Sequence, residues 1–151
     1  MNLIKNKKMK AFKSSLNINK LALLFSSLFL LVTLVSCGKK ITFMTSEIAP
    51  AARGNVDVKK DKNNNYRVEL KISYLAEPDR LSPAKNTYVV WMVTDENDTP
   101  INLGQIVSSS KLNVKFETVT SSKPKRIFVT AENDASIQYP GNMLVLETDN
   151  F

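Results

Sequence analysis

The chain has 151 residues and a formal net charge of +7, and it contains one cysteine and no histidine. Without histidine, the commonest general acid–base residue, the usual histidine-containing metal sites and all Ser-His-Asp or Cys-His arrangements are excluded. A single cysteine cannot form a disulfide within the chain, so packing and strand pairing must stabilise the fold.

The first 36 residues have the pattern of a leader. An apolar run over residues 21–35 follows a segment with six lysines and no acidic residue. A helical membrane span needs about 20 apolar residues, so this run is short for one. A basic segment, an apolar segment and small residues at a cleavage site are instead typical of a secretory signal peptide. We predict a signal helix within residues 1–36 that is cleaved off, with Met1 or Met9 as its start.

The end of this leader resembles the lipobox of bacterial lipoproteins. Leu34 is followed by Val35, by the small Ser36 and by Cys37, the only cysteine. In that family the cysteine sulfur takes a diacylglyceryl group, the leader is cut before the cysteine, and each buried CH₂ of the anchor contributes about 0.8 kcal/mol. The resemblance implies lipidation at Cys37, with membrane lipid as the partner. The alternative is an ordinary signal peptide or short signal anchor with an incidental cysteine.

The residues after Cys37 bear on the location within the envelope. Gly38 stands where enterobacterial lipoproteins retained at the inner membrane tend to carry Asp. Lys39 and Lys40 are not the acidic residues that mark surface export in some lipoproteins. By this resemblance the protein is expected in the cell envelope, lipid-anchored in the outer membrane and facing the periplasm.

The positive charge is concentrated in the leader. Residues 37–151 keep 15 basic and 14 acidic residues, a net charge of +1. A nearly neutral chain offers no extended basic surface for DNA or RNA, so no nucleic-acid partner is expected. These 115 residues suit one domain with a real core.

The mature chain begins with alternating strand and turn patterns. Residues 38–40 form a short polar tether, and the β-prone residues 41–45 predict an edge strand. Residues 55–59 and 66–75 alternate polar and apolar side chains, as half-buried strands do. The Asn-rich residues 61–65 between them predict a hairpin tip. The side chains expected on the buried face of the second strand are Tyr66, Val68, Leu70, Ile72 and Tyr74.

Residues 87–94 are apolar on both faces, which predicts a central strand buried on both sides. Within it, Trp91 is expected to be the largest residue of the core, with an indole N–H that needs a partner. The alternative for Trp91 is a ligand-stacking role. Residues 77–86, which contain Pro78 and Pro83, predict a loop before this strand.

The rest of the chain continues the same pattern and completes the predicted fold. Seven or eight strands separated by turns, without a long amphipathic helix, indicate an all-β, single antiparallel β-sandwich of the immunoglobulin-like kind. We assign residues 48–151 to this domain and residues 37–47 to the lipidated cysteine and a short tether that includes the candidate edge strand. The further strands are predicted at 101–107, 112–117, 127–131 and 143–147, with a linker at 108–110, a polar loop at 118–125 and a turn at 139–142.

The densest acidic cluster, residues 95–100, is a candidate Ca²⁺ loop, because Ca²⁺ takes closely spaced oxygen ligands. It fails the EF-hand pattern, since Pro100 stands where Gly is needed and Ile106 where the bidentate Glu belongs. A solvated turn is the favoured interpretation, and no metal site is predicted.

Two carboxylate pairs are the candidates for catalysis of the glycosidase type, which uses one acid and one base or nucleophile. They are Glu77 with Asp79 and Asp95 with Asp98. Both pairs lie in turn-like sequence, where side chains are usually solvated. We therefore predict a protein that is not an enzyme and uses no cofactor.

An ordered series of segments between residues 48 and 148 resembles the extracytoplasmic C-terminal domain of anti-sigma-K factors. That domain typically has a Gly-led first strand, a Tyr-x-x-Trp strand, a Pro-x-x-x-Gly turn, a strand with Thr-x-Glu and a late Pro before the last strand. The matching residues are Gly54 with Val56 and Val58, Tyr88 with Trp91, Pro100 with Gly104, Thr130 with Glu132, and Pro140 ahead of 143–146.

The resemblance implies a fold and an envelope location rather than sequestration of a sigma factor. In that family a cytoplasmic helical domain binds the sigma factor and a membrane helix joins it to the outer domain. Here the lipid anchor replaces the membrane helix, and residues 133–138 replace a Gly-rich segment.

These features together predict a lipid-anchored envelope β-sandwich that acts as a non-enzymatic binding, sensing or structural module. Exposed loops on a rigid scaffold are where such proteins bind, and the predicted loops are 77–86, 95–100 and 118–125. One alternative is an accessory regulator that binds a membrane-bound anti-sigma factor or another envelope signalling protein. A carboxylate-dependent hydrolase is a further alternative.

Overall fold

The computed structural model describes residues 40–107 and 113–151. The predicted signal helix, Cys37 and the 108–110 linker lie outside these residues. The described part contains a short 3₁₀ helix, Pro78–Arg80, and eight strands: β1 (Ile41–Thr42), β2 (Arg53–Lys60), β3 (Tyr66–Ser73), β4 (Thr87–Thr94), β5 (Ile101–Ile106), β6 (Asn113–Thr120), β7 (Pro124–Glu132) and β8 (Leu144–Glu147).

The strands form two four-stranded sheets in which every pairing is antiparallel. The first sheet has the order β1-β2-β3-β6 and the second has the order β5-β4-β7-β8. The chain crosses between the sheets after β3, after β5 and after β6, the kind of connection found in immunoglobulin-like sandwiches. The predicted all-β antiparallel β-sandwich is confirmed.

The main core lies between the two sheets. On β3, Val68, Leu70 and Ile72 are at most 1% exposed, as their alternation with polar residues predicts. Burying an aliphatic side chain of this size contributes about 1.5–3 kcal/mol, so this layer supplies most of the driving force for folding. The facing residues from the second sheet are Tyr88, Val90, Met92, Ile106, Ile127, Val129, Ala131, Val145 and Leu146.

The outer face of the first sheet is polar and crossed by ion pairs. Glu69 Oε1 lies 3.0 Å from Lys71 Nζ and 3.4 Å from Lys115 Nζ. The hydrogen bond from Lys71 holds the pKa of Glu69 below its usual range. Arg67 pairs with Glu117 at 3.0 Å. Exposed pairs of this kind add little stability, so this face serves solubility.

Tyr74 departs from the predicted alternation. It was expected on the buried face of the 66–75 strand, but β3 ends at Ser73 and Tyr74 is 58% exposed. Its φ angle of 59° is in the left-handed region, which non-glycine residues seldom adopt. This backbone turn ends the strand and directs the ring into solvent.

The segment around β1 joins the two sheets. Ile41 pairs with Val56 at the edge of the first sheet. Two residues later Phe43 forms a bridge with Thr148, beyond the end of β8. Phe43 is only 9% exposed and belongs to the main core. The segment 41–45, predicted as an edge strand, therefore contributes β1 and Phe43 to the sandwich.

The two ends of the sandwich carry different loops, and the antiparallel registers determine which loops share an end. One end, which we call the hairpin end, carries the β2–β3 hairpin (61–65), the β4–β5 loop (95–100), residues 121–123 and the C-terminus. The opposite end, the groove end, carries residues 44–52, 74–86 and 133–143.

In residues 40–107 and 113–151 no helix has the length and apolarity of a membrane span.

Candidate functional site

A groove of about 730 Å³ lies at the groove end of the sandwich. Segments between strands, at 77–86, 107 and 133–135, form most of its lining, and the start of β4 and the end of β5 form the rest. Grooves of this size are in the range of small-molecule and peptide sites. The residues around it are Glu77, Pro78, Asp79, Lys85, Asn86, Thr87, Gln105, Ile106, Val107, Asn133, Asp134 and Ala135.

The charge of this groove is predominantly negative. It is lined by three carboxylates, from Glu77, Asp79 and Asp134, and by one ammonium group, from Lys85. The backbone N–H and the hydroxyl of Ser136 donate hydrogen bonds to Asp134 and hold the pKa of its carboxyl below its usual range. Three amide side chains supply neutral donors and acceptors, so the groove suits polar or cationic ligands better than anions.

The two predicted carboxylate pairs lie at opposite ends of the molecule. Glu77 and Asp79 both line the groove, and Glu77 also pairs with Arg80 at 3.0 Å. Asp95 and Asp98 lie at the hairpin end, where their side chains are 58% and 92% exposed.

General acids with raised pKa values usually need burial, and none of these four carboxylates is buried. The residues of the 95–100 turn face solvent, as predicted. Within the described part of the chain, no three possible metal-binding side chains come together.

The structure also separates the loops that were predicted to act in binding. Residues 77–86 contribute to the groove, but 95–100 and 118–125 are at the other end. The last of these was predicted as a loop and is mostly strand, because β6 continues to Thr120 and β7 begins at Pro124. Pairing with β3 and β4 extends both strands through polar residues whose sequence alone favours a loop.

Trp91 lies on the outer face of the second sheet rather than between the sheets. It is fully buried with Val89, Val93 and Phe128 in a second apolar cluster, and its ring stacks on Phe128 at 6.3 Å between centroids. Its indole N–H donates to the Thr130 hydroxyl at 2.8 Å, which is the partner that burial of the ring requires. No face of the ring is open to a ligand.

Residues 133–142 cover this second cluster, and we call them the strap. Ala135 and Ile137 of the strap pack on the cluster. The side-chain amide of Asn102 on β5 donates to both of their carbonyls, at 3.0 and 2.8 Å. The Asn102 carbonyl oxygen accepts from the Gly104 N–H at 2.8 Å. One asparagine therefore fixes both the strap and the irregular pairing of β5 with β4.

Glu132 and Gly141 hold the far end of the strap. Glu132 is 6% exposed, and its carboxylate accepts a hydrogen bond from the Gly141 N–H at 2.7 Å. A Cβ on residue 141 would lie 2.7 Å from one carboxylate oxygen, so a larger residue there would displace the Glu132 carboxylate. At the near end of the strap, Asn86 donates to the Asn133 carbonyl at 3.0 Å.

Sequence reasoning did not identify the roles of Asn102, Glu132 or Gly141. One signal was available: a strand that is apolar on both faces needs a cover on each face, and only one face can meet the other sheet. The sequence shows that a second cover must exist. It does not show which loop provides it.

Removing the Asn102 clamp gives a first prediction. Asn102→Ala should destabilise the sandwich by about 1–3 kcal/mol, because two strap carbonyls lose their donor. Amide exchange should accelerate in residues 133–142 before it does in β3. Asn97→Ala, in the exposed 95–100 turn, serves as the control. Equal protection of the strap in Asn102→Ala and in the unmodified protein would contradict the assigned clamp.

Tyr88 provides a second prediction, at high pH. Its hydroxyl donates to the Ala76 carbonyl at 2.8 Å, and burial, with a smaller contribution from Asp79, raises its pKa to about 12. The tyrosine of the unfolded chain ionises near pH 10, so the unfolded state loses its proton first. Stability should therefore fall as pH rises above 10 and be unaffected by this group below it.

The measurement is urea unfolding at pH 9 and pH 11. Between these values the unmodified protein should lose about 1.4 kcal/mol more than Tyr88→Phe, which has no ionisable hydroxyl. The change in unfolding free energy between pH 9 and pH 11 is taken for each protein separately. The stability that Tyr88→Phe loses with its hydrogen bond is the same at both pH values, so it cancels within that change. The same pH dependence in both proteins would show that Tyr88 ionises equally in the folded and unfolded states.

Comparison with protein-family models, with curated proteins and with solved structures gave no match to this chain.

Proposed function

We propose that the protein is a lipid-anchored module of the bacterial cell envelope that binds a polar ligand or a protein in the groove at its membrane-distal end. It performs no catalysis. The anchor is the diacylglyceryl group on Cys37, and the expected site is the periplasmic face of the outer membrane. The resemblance of the mature chain to the outer domain of anti-sigma-K factors is part of this proposal for the fold and location only.

The direction of β1 is the observation that carries the proposal. β1 runs antiparallel to β2, so the chain enters the sandwich from the side of the β2–β3 hairpin and proceeds toward the groove end. Four residue steps separate Cys37 from Ile41, and an extended chain of that length spans about 14 Å at most. A lipid on Cys37 keeps the hairpin end near the membrane and leaves the groove facing away.

The groove chemistry supports a binding role. Its carboxylates, from Glu77, Asp79 and Asp134, are not buried, and amide side chains from Asn86, Gln105 and Asn133 also line it. Polar or cationic groups are the ligands that fit this lining.

Replacing the lipidated cysteine tests the anchor and is a third prediction. Cys37→Ser should abolish diacylglyceryl modification and cleavage before residue 37, because the sulfur is the attachment atom. Mass spectrometry of the amino-terminal peptide and detergent phase partitioning measure both. Ser36→Ala keeps a small residue before the cysteine and should still be processed. A Cys37→Ser chain that stays membrane-bound and is cut at the same place would refute the anchor.

A second candidate function is an accessory regulator that binds a membrane-bound anti-sigma factor or another envelope signalling protein. Its support is the concentration of exposed apolar side chains at the groove end. Six of the eight large apolar side chains exposed in the described residues lie in its loops or beside them. Met44, Ile48, Tyr74 and Tyr139 are in the loops, Val107 follows β5, and Leu144 is the first residue of β8.

Photo-crosslinking in native membranes separates these functions. A photoreactive residue at Asn133 in the groove is compared with one at Asn63 in the hairpin. Recovery of an envelope signalling protein from position 133 alone supports the regulator. Recovery of only abundant envelope proteins, equally from both positions, counts against it.

A further inference from the structure

We propose that the β2–β3 hairpin is a docking surface for anionic lipid headgroups, which fixes the sandwich upright on its own membrane. This inference rests on the proposed lipid anchor at Cys37 and adds a second contact to it. The hairpin surface is defined by Lys59, Lys60 and Lys62, with Lys40 on the adjoining strand segment.

Charge at the hairpin end is unevenly distributed between the two sheets. Residues 58–67 of the hairpin carry Lys59, Lys60, Lys62 and Arg67 against one acidic residue, Asp61. The carboxylates of Asp57, Glu69 and Glu117 form a row further from the tip. The second-sheet side carries the acidic 95–100 turn, in which Asp95 and Asp98 pair with Lys123 and Lys125. An anionic surface therefore attracts the first-sheet side of this end, to which β1 belongs.

The acidic groups of the hairpin are already engaged. Asp57 pairs with Lys59 at 2.8 Å. One oxygen of Asp61 accepts the backbone N–H groups of Asn63 and Asn65, at 2.7 and 2.9 Å. Asp61 keeps its negative charge in these contacts, and within the described part of the chain neither Lys60 nor Lys62 forms an ion pair with it or with another acid.

The hairpin holds these lysines in a fixed frame. Asn64 has a φ of 65°, and the Asp61 N–H donates to the Asn65 carbonyl at 2.8 Å, which closes a tight turn. The Lys60 ammonium lies 5.7 Å from the centre of the Tyr66 ring, a cation–π contact that limits its motion. Lys62 is exposed at the tip. The turn backbone and the Lys60 side chain are therefore ordered before the hairpin meets a surface.

The expected strength of docking follows from the attraction of basic residues to an anionic leaflet. Each lysine near the surface raises the ratio of docked to undocked molecules by about fivefold. Removing Lys60 and Lys62 should therefore lower that ratio by about 25-fold. The attraction falls off within a Debye length of about 8 Å at physiological salt, so docking should weaken as salt rises.

The test uses the lipidated full-length product reconstituted into vesicles. A fluorophore is attached to a cysteine introduced at the hairpin tip, in Asn63→Cys. The control carries the fluorophore on the strap, in Gln138→Cys. Only the introduced cysteine reacts, because lipidation blocks the thiol of Cys37. Vesicles contain a headgroup-attached nitroxide quencher in phosphatidylcholine, with or without 30% phosphatidylglycerol as a stated test composition. Anionic vesicles should quench the label at position 63 and not the label at position 138.

Lys60→Gln with Lys62→Gln should abolish the quenching, whereas Arg80→Gln with Lys85→Gln, which removes two charges at the groove end, should not. Equal quenching of position 63 in neutral vesicles would overturn the proposal, because tether length alone would then explain it. Absence of quenching in anionic vesicles would also overturn it while leaving the anchor intact. If mass spectrometry instead finds no diacylglyceryl group on Cys37, the proposed function is refuted.

Discussion

Trp91→Ala is expected to destabilise the sandwich by about 3–5 kcal/mol, a large part of the 5–15 kcal/mol that holds a typical domain together. The ring is fully buried and stacks on Phe128, so its removal leaves a cavity under the strap. The hydroxyl of Thr130 also loses its donor. Urea unfolding followed by far-ultraviolet circular dichroism measures the loss, since the only tryptophan reporter is absent.

Two companion variants locate the effect. Thr130→Val keeps the ring and leaves a buried N–H without an acceptor, and should cost about 1–3 kcal/mol. Tyr139→Ala, in the same strap but 70% exposed, should be neutral within about 0.5 kcal/mol. Limited proteolysis of Trp91→Ala should cut first within residues 133–142. First cleavage within the β2–β3 hairpin would contradict the assignment of Trp91 to the cluster beneath the strap.

Gly54→Ala is expected to have the second large effect, about 3 kcal/mol of destabilisation, at the upper end of the range for overpacked sites. A Cβ at residue 54 would lie 2.7 Å from the Lys71 carbonyl oxygen and 2.9 Å from the Phe43 ring. The carbonyl belongs to the β3 backbone, which pairs along the whole length of β2. The clash can therefore be relieved only if the paired backbones of β2 and β3 move apart.

A double-mutant cycle with Phe43→Leu distinguishes the two contacts, since coupling between neighbours appears as non-additivity. If the carbonyl contact dominates, the two substitutions should add and the smaller side chain should not rescue Gly54→Ala. Gly104→Ala is the matched control: its Cβ would be 3.5 Å from Phe116, an ordinary contact, at a φ of 126°. Gly104→Ala should destabilise the protein by about 1–3 kcal/mol, because alanine is strained at this positive φ angle. Full rescue by Phe43→Leu would place the clash on the ring instead.

Much of the fold could be predicted because strand alternation is a local signal. Val68, Leu70 and Ile72 on one face and charged residues on the other specify a half-buried strand before any partner is known. The Asn-rich 61–65 turn is local in the same way, since Asn64 tolerates the positive φ that the structure shows. Element ends were less predictable, as in 118–125, because pairing with a neighbouring strand extends β6 and β7 through polar residues.

The candidate groove could be predicted only in part. The 77–86 loop was identified, but its neighbours in space, Gln105 and Asn133, come from strands and loops distant in sequence. The loops chosen for binding lie at opposite ends, because each passage along a strand reverses the end at which the next loop emerges. Sequence order alone does not reveal this until the strand count and crossovers are known.

The properties readable from the sequence are local or compositional: the predicted leader with its lipobox resemblance, the near-neutral charge of residues 37–151, the strand periodicity and the need for a cover on both faces of residues 87–94. The tertiary structure decided which contacts meet those needs. It placed Trp91 beneath the strap, joined Asn102 to two strap carbonyls and Glu132 to Gly141, and ran β1 into the sandwich from the hairpin side. The physical reason is that periodicity fixes which side of a strand is apolar, whereas the partner on that side depends on long-range packing.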